Sequence, residues 1–246
     1  MPSPLTRRVP TRRARDAKGP DRGLFDLWSF VYDAPLVQRL VYRPEHDAVV
    51  RALRACGAQR ILDVGCGTGL LAARVRREME GVCVVGCDFS RGMLGHAVRR
   101  RNAAALVQAT ALRLPFRDAS FDAIVSTEAF HWFPDQGAAL REFRRVVTPK
   151  GRILLSLVNP PTEWLCSAAN AVSRAVGEPF HWPTRARMRA QVRGAGFRVV
   201  GQRFVFRLPL SLAFPTFLTE AEPAPEPSLR ANAEEGSVRS EGRSWQ

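Results

Sequence analysis

The residues Asp63-Val64-Gly65-Cys66-Gly67-Thr68-Gly69 follow a short apolar run, and Asp88 stands at the end of the next one. Three glycines at alternate positions permit backbone conformations denied to other residues and let a ligand lie against the main chain. An acid about twenty residues further on, at the tip of the second strand, can accept both hydroxyl protons of a ribose. The pattern therefore points to a nucleoside cofactor. The dinucleotide fingerprint would need glycine at position 70, where this chain has Leu70, and a phosphate-binding loop would need a lysine after its last glycine. Neither is present.

A second group lies in Glu128-Ala129-Phe130-His131-Trp132-Phe133, just beyond a strand whose carboxyl end faces the site in a parallel sheet. His131 has the ordinary pKa for proton transfer near neutrality, so it is a candidate general base. Beside Trp132 and Phe133 it could equally line the acceptor pocket, and both readings stand. His181-Trp182 is a weaker echo. Trp28, Phe30 and Tyr32 could form an aromatic lid or belong to a helix packed on the sheet, with Tyr32 joining His131 and Trp132 as acceptor-binding candidates. The five cysteines, Cys56, Cys66, Cys83, Cys87 and Cys166, contain no CxxC pair, so no disulfide framework and no metal site is expected.

These residues need rigid elements behind them. After a basic tail at 1–22, helical spacing over 24–41 and from Pro44 to about Ala55 gives a helical cap at 23–56. Strands and helices then alternate: strand 60–64, helix 70–80, strand 82–87, helix 92–101, strand 106–109, strand 121–126, helix 136–147, a turn at Thr148-Pro149-Lys150-Gly151 and strand 152–158. Such alternation is the signature of an α/β fold, a doubly wound, mostly parallel sheet covered on both faces, here with its core at 57–160. Helices near 163–176 and 184–194 and two strands, 197–202 and 204–208, make residues 161–218 an extension closing with an antiparallel hairpin at the sheet edge. From 219 the chain is rich in proline, glutamate and serine, with little to bury, and a disordered tail is expected.

From residue 60 to about 155 the chain resembles class I S-adenosylmethionine-dependent methyltransferases of the ubiquinone and menaquinone biosynthesis type, a group of Rossmann-like fold. The segments ILDVGCGTG, VVGCDFSRGML, LRLPFRDASFDAIVS and REFRRVVTPKGRILL carry the resemblance. It implies S-adenosylmethionine as cofactor, with Gly65, Cys66, Gly67 and Gly69 along its methionine part, Asp63 near the ammonium and Asp88 on the ribose. Phe89 and Met93 would pack on the adenine, or belong to the core. The group usually has an aspartate just before its LPF element. Here that position is Thr110, a weaker acceptor, so adenine recognition would lean on the Ala111 backbone and on Leu112.

Methyl transfer is an in-line displacement at a carbon activated by a positive sulfur, so alignment and exclusion of water matter more than any one catalytic group. The expected acceptor is a small organic molecule, aromatic or quinone-like. The net charge of +14 comes from 37 basic and 23 acidic residues, with lysine only at Lys18 and Lys150. Charge alone signals non-specific anion binding, and no specific nucleic-acid partner is expected. A nucleic-acid methyltransferase is nevertheless one alternative, because Asn159-Pro160-Pro161 resembles the start of an NPP-aromatic motif, although Thr162 replaces the aromatic. A catalytically inactive cofactor-binding interaction protein is the other, on the strength of Thr110. No apolar run follows the first charges and none is long enough to span a bilayer, so a cytoplasmic protein without a membrane span is expected.

Overall fold

The computed structural model describes residues 42–99, 105–159, 162–175, 180–206 and 215–225. The expectations for the tail at 1–22, for the helix at 24–41 and for Trp28, Phe30 and Tyr32 lie outside the described residues. The described elements run α1 (Arg43–Ala55), β1 (Arg60–Val64), α2 (Leu70–Glu78), β2 (Cys83–Asp88), α3 (Arg91–Arg99), β3 (Ala105–Gln108), β4 (Phe121–Thr127), a 3-10 turn (Phe130–Trp132), α4 (Gln136–Val146), β5 (Val147–Val158), α5 (Glu163–Ala175), α6 (Arg185–Gly194), β6 (Phe197–Phe204) and β7 (Thr216–Pro223). The seven strands form one sheet in the order β3-β2-β1-β4-β5-β7-β6. The first five are parallel, while β7 pairs antiparallel with both β5 and β6.

Side chains alternate across a strand, so each inner strand feeds two cores. Leu62, Val64, Val85, Ile124, Ile153 and Leu155 join Leu140, Phe143 and Val146 of α4 and Met188 and Val192 of α6 on one face. Ile61, Val84, Val125 and Leu154 meet Val49 and Leu53 of α1 and Leu71 and Val75 of α2 on the other. This two-sided burial explains why the strands read as continuous apolar runs. Phe116 and Phe121 meet edge to face, 4.9 Å between centroids, and each fully buried ring contributes about 1.5–3 kcal/mol.

Local signals set the helix starts. Asp135 caps α4 by accepting the Ala138 N–H at 2.8 Å, and Thr184 caps α6 by accepting the Arg187 N–H at 3.2 Å.

Three expectations are corrected. Thr148–Gly151 is no turn: it lies inside β5, where the register jumps from Phe121↔Val147 to Ala123↔Arg152 and the extra residues bulge from the ladder. The partner of β6 is not 204–208 but Thr216–Pro223. That strand also reaches past 219 into the segment expected to lack structure; seven of its eight residues are buried between β5 and β6. Glu220 is buried there and pairs with Arg203 and Arg152.

Because β1 has β2 on one side and β4 on the other, the chain reverses its winding there, and a crevice opens at the carboxyl ends of β1 and β4. The glycine turn and the His131 segment meet at that crevice.

Candidate active site

The turn between β1 and α2 takes its shape from glycine. Gly65, Gly67 and Gly69 have φ of 76°, 52° and 76°, a region that residues with side chains avoid. At Gly65 there is a second demand, since a Cβ there would lie 2.3 Å from the Cβ of Ala129. The turn thus presses directly on the segment after β4. The Gly65 and Cys66 N–H groups donate to the Cys87 carbonyl at 2.8 and 3.1 Å, while a Cβ on Gly67 would meet nothing within 4 Å. The main chain at Gly67 is open to a ligand.

Asp88 closes the turn. Its Oδ2 accepts the Gly67 N–H and its Oδ1 the Ser90 N–H, both at 2.8 Å, and each oxygen keeps a lone pair for a further donor. Burial raises the carboxyl above its usual range, and the N–H bonds oppose that shift. The Ala109 N–H donates to the Asp88 carbonyl at 3.0 Å, which brings residues 109–112 alongside. There the exposed Thr110 accepts the Leu112 N–H on its own hydroxyl at 3.3 Å, Ala111 is buried and Leu112 is half-buried. Phe89 stands 41% exposed at the tip of β2, whereas Met93 is buried in α3.

Two residues absent from the sequence reading hold this loop from behind. Glu142 of α4 accepts the Leu114 N–H at 2.7 Å, and Arg145 donates to the Leu114 and Phe116 carbonyls at 2.9 and 2.8 Å.

Asp63 is 2% exposed, and neither of its carboxylate oxygens has a hydrogen-bond partner among the described residues. Burial, and secondarily the charge of Asp88, push its pKa to about 7. A buried carboxyl in this condition fits a ligand bearing a cation with N–H donors.

The second half of the crevice is aromatic. His131 stacks on Trp182 with centroids 5.3 Å apart, Trp182 on Phe180 at 4.7 Å, and Trp132 meets Phe180 edge-on at 4.1 Å. Three amide side chains fasten the 180–183 segment: Gln136 donates to the His181 carbonyl at 2.6 Å, Asn159 to the Pro183 carbonyl at 2.7 Å, and Asn170 accepts the Trp182 N–H at 2.9 Å. Asn159 is thus engaged as a brace of this segment. His131 is buried, and burial lowers its pKa to about 3. Its Nδ1, the Trp182 Nε1 and the Asn159 Oδ1 are buried without hydrogen-bond partners among the described residues.

A family model described as a methyltransferase domain matches residues 62–155. The demethylmenaquinone methyltransferase of Corynebacterium kroppenstedtii is 34% identical over 165 residues, covering 59% of this chain and 70% of that protein. The Streptomyces avermitilis enzyme of the same name is 33% identical over 188 residues, covering 68% and 79%. The chain belongs to the S-adenosylmethionine-dependent methyltransferases. The methyltransferase shares its fold with a solved S-adenosylmethionine-dependent methyltransferase of Thermotoga maritima, at a TM-score of 0.63 and 21% identity over 83% of this chain and 98% of that one. The magnesium protoporphyrin IX methyltransferase of Synechocystis, solved with S-adenosylmethionine bound, aligns with a TM-score of 0.61 and 18% identity over 85% of this chain and 100% of that one. The methyltransferase uses S-adenosylmethionine, and among its described residues no helix is long and apolar enough to cross a membrane.

Proposed function

We propose that this methyltransferase acts on a small, ring-containing organic acceptor that packs against Trp132, Phe180 and Trp182, with His131 at its edge. The observation that carries this reading is the aromatic assembly itself: four rings in mutual contact, two of them (His131 and Trp182) with buried unpartnered nitrogens, on and against the segment after β4 on which the glycine turn presses. Apolar walls with a few convergent polar groups are what a small-molecule site requires. The names of the quinone-methylating relatives agree with it. The free thiols suit a reducing compartment, and we place the enzyme in the cytoplasm.

In this reading Gly65, Cys66, Gly67 and Gly69 hold the methionine part of the cofactor, Asp63 its ammonium and Asp88 its ribose hydroxyls. Phe89 covers the adenine from the tip of β2, and the 110–112 segment meets its edge through the Ala111 backbone and Leu112. Met93, buried in α3, belongs to the core. When bound, S-adenosylmethionine supplies a methyl carbon made electrophilic by a sulfonium. The protein then has to align the acceptor and keep water out. A neutral, weakly basic imidazole at His131 serves better as a hydrogen-bonding post for an acceptor hydroxyl or carbonyl than as the group that takes its proton.

The test is calorimetry with S-adenosylmethionine, followed by transfer of labelled methyl to a panel of quinols, phenols and ring amines, with RNA and DNA oligonucleotides alongside. Label entering a ring compound, with Trp182→Ala raising the acceptor KM about tenfold or more and leaving cofactor affinity unchanged, is the expected result. Label entering nucleic acid, with steeply salt-dependent binding, would overturn the acceptor assignment.

A further inference from the structure

One buried acidic group has no part in the reading so far. Glu45, in the first turn of α1, is 1% exposed, and its Oε1 has no hydrogen-bond partner among the described residues. It feels the charges of Glu128 and Asp63, while the Ser156 hydroxyl of β5 partly offsets them. Strand alternation explains the grouping. Asp63 and Ser156 lie in phase with Ile61 and Leu154, on the sheet face that α1 covers.

Glu128 completes the group from the end of β4. Its φ of 46° is uncommon for a residue with a side chain. Its N–H donates to the Ser156 carbonyl at 2.8 Å, and its Oε1 accepts the Val158 N–H at 2.9 Å. Burial pushes Glu128 to about 8 and Glu45 well above the carboxylate range. The Tyr42 phenol at the head of α1 feels both acids, and Asp88 reaches the group through Asp63. No arginine or lysine among the described residues contributes to the electrostatics of Glu45, Asp63 or Glu128. Arg74, on the neighbouring helix, pairs with Asp47 and Glu78 instead. Buried carboxylates without a cation cost several kcal/mol each, so these groups hold their protons to higher pH than exposed carboxyls do.

We propose that Glu45 and Glu128 form, continuous with Asp63, an acidic subsite that receives an alkylammonium group and releases a proton as it does so. A carboxylic O–H bond breaks, the proton leaves to solvent, and the resulting carboxylate accepts N–H bonds from the incoming cation. Two sources carry that chemistry, the α-ammonium of the cofactor and an amine on the methyl acceptor. The location rests on the cofactor placement proposed above, but the test separates the two.

The experiment is calorimetry of the full chain near neutral pH in buffers of different ionisation enthalpy, which reads the protons released on binding. The probes are S-adenosylhomocysteine, which has the ammonium but no sulfonium, and 5′-methylthioadenosine, which has neither. Phenethylamine is then titrated into the S-adenosylhomocysteine complex and into the empty protein. Release of about half a proton or more with S-adenosylhomocysteine, none with the thioadenosine, and loss of at least half the release in Glu45→Gln and Glu128→Gln would place the cofactor ammonium there. A glutamate-dependent release seen only with the amine would place an amine acceptor there, and the proposal stands. Buffer-independent heats with every probe would overturn it while leaving the cofactor reading intact. If no adenosyl compound binds, the cofactor reading falls, and amine titration of the empty protein still decides the subsite. Should a glutamine variant not fold, wild-type affinity between mildly acidic and mildly alkaline pH serves instead. It rises with pH if binding releases protons and stays flat if the proposal is wrong.

Discussion

Asp88 reaches back 21 residues to accept the Gly67 N–H at 2.8 Å. The acid at the tip of β2 is thereby a brace of the glycine turn before any ligand arrives. Its replacement should act on the turn and on the ligand together. Asp88→Ala removes two charge-assisted bonds, to Gly67 and Ser90, and the proposed ribose acceptor, so affinity for S-adenosylmethionine should fall about a hundredfold or more. Asp88→Asn, which keeps an acceptor, should lie between. Calorimetric titration of both variants decides it, and wild-type affinity in Asp88→Ala would remove Asp88 from the site.

The contact of Gly65 with Ala129 predicts a double effect. Gly65→Ala places a Cβ 2.3 Å from Ala129 Cβ at a residue with φ of 76°. Both strain and clash should lower stability by about 2–4 kcal/mol, with loss of activity. Adding Ala129→Gly relieves the clash but not the left-handed backbone, so thermal melting of the double variant should recover only part of the loss. Full recovery would show that the backbone conformation costs nothing there.

Buried acids and buried histidines should set opposite pH dependences of stability. Asp63 moves from 3.8 to about 7 and Glu128 from 4.5 to about 8. The folded state therefore binds more protons than the unfolded one between those values, and stability from these groups is lost as pH rises through that window. His131 moves from 6.5 to about 3 and His46 from 6.5 to about 4, both through burial first. Their contribution is present above the unfolded value and lost as pH falls from about 6.5 toward 3. Melting temperature measured from pH 4 to 9 should thus decline on both sides. Glu128→Gln should flatten the alkaline decline, by an amount on the order of a few kcal/mol at most, and His131→Asn the acid one.

Thr110 gives a gain-of-affinity prediction. Its exposed hydroxyl is engaged by the Leu112 N–H at 3.3 Å. A carboxylate there is a stronger acceptor with oxygens to spare, so Thr110→Asp should tighten S-adenosylmethionine binding by about threefold to tenfold. Thr110→Ala should change it little. Unchanged affinity in Thr110→Asp would show that the adenine edge does not meet this position.

The catalytic core was legible because its signals are local. Glycines that must adopt left-handed φ, an acid at a strand tip and period-2 apolar runs each act within a few residues, so the α/β order and the match of the glycine turn with Asp88 could be read from the chain. The same locality misled at Thr148–Gly151, whose turn chemistry is absorbed as a bulge by pairing with β4, and at 216–223, where acids that look solvated are buried or ion-paired once β5 and β6 lie on either side.

What the amino-acid order determined by itself is the fold class and the glycine turn, because hydrophobic period, glycine and capping residues constrain the backbone wherever the segment lies. The tertiary structure alone decided that Trp182 stacks on His131 across 51 positions, that Gln136, Asn159 and Asn170 fasten one short segment, and that Glu45 is buried within reach of the charges of Glu128 and Asp63. Those relationships depend on where α1 and the 180–183 segment land on the sheet. Burial and mutual proximity, which set the charge state of Glu45 and the neutrality of His131, exist only after the chain has packed.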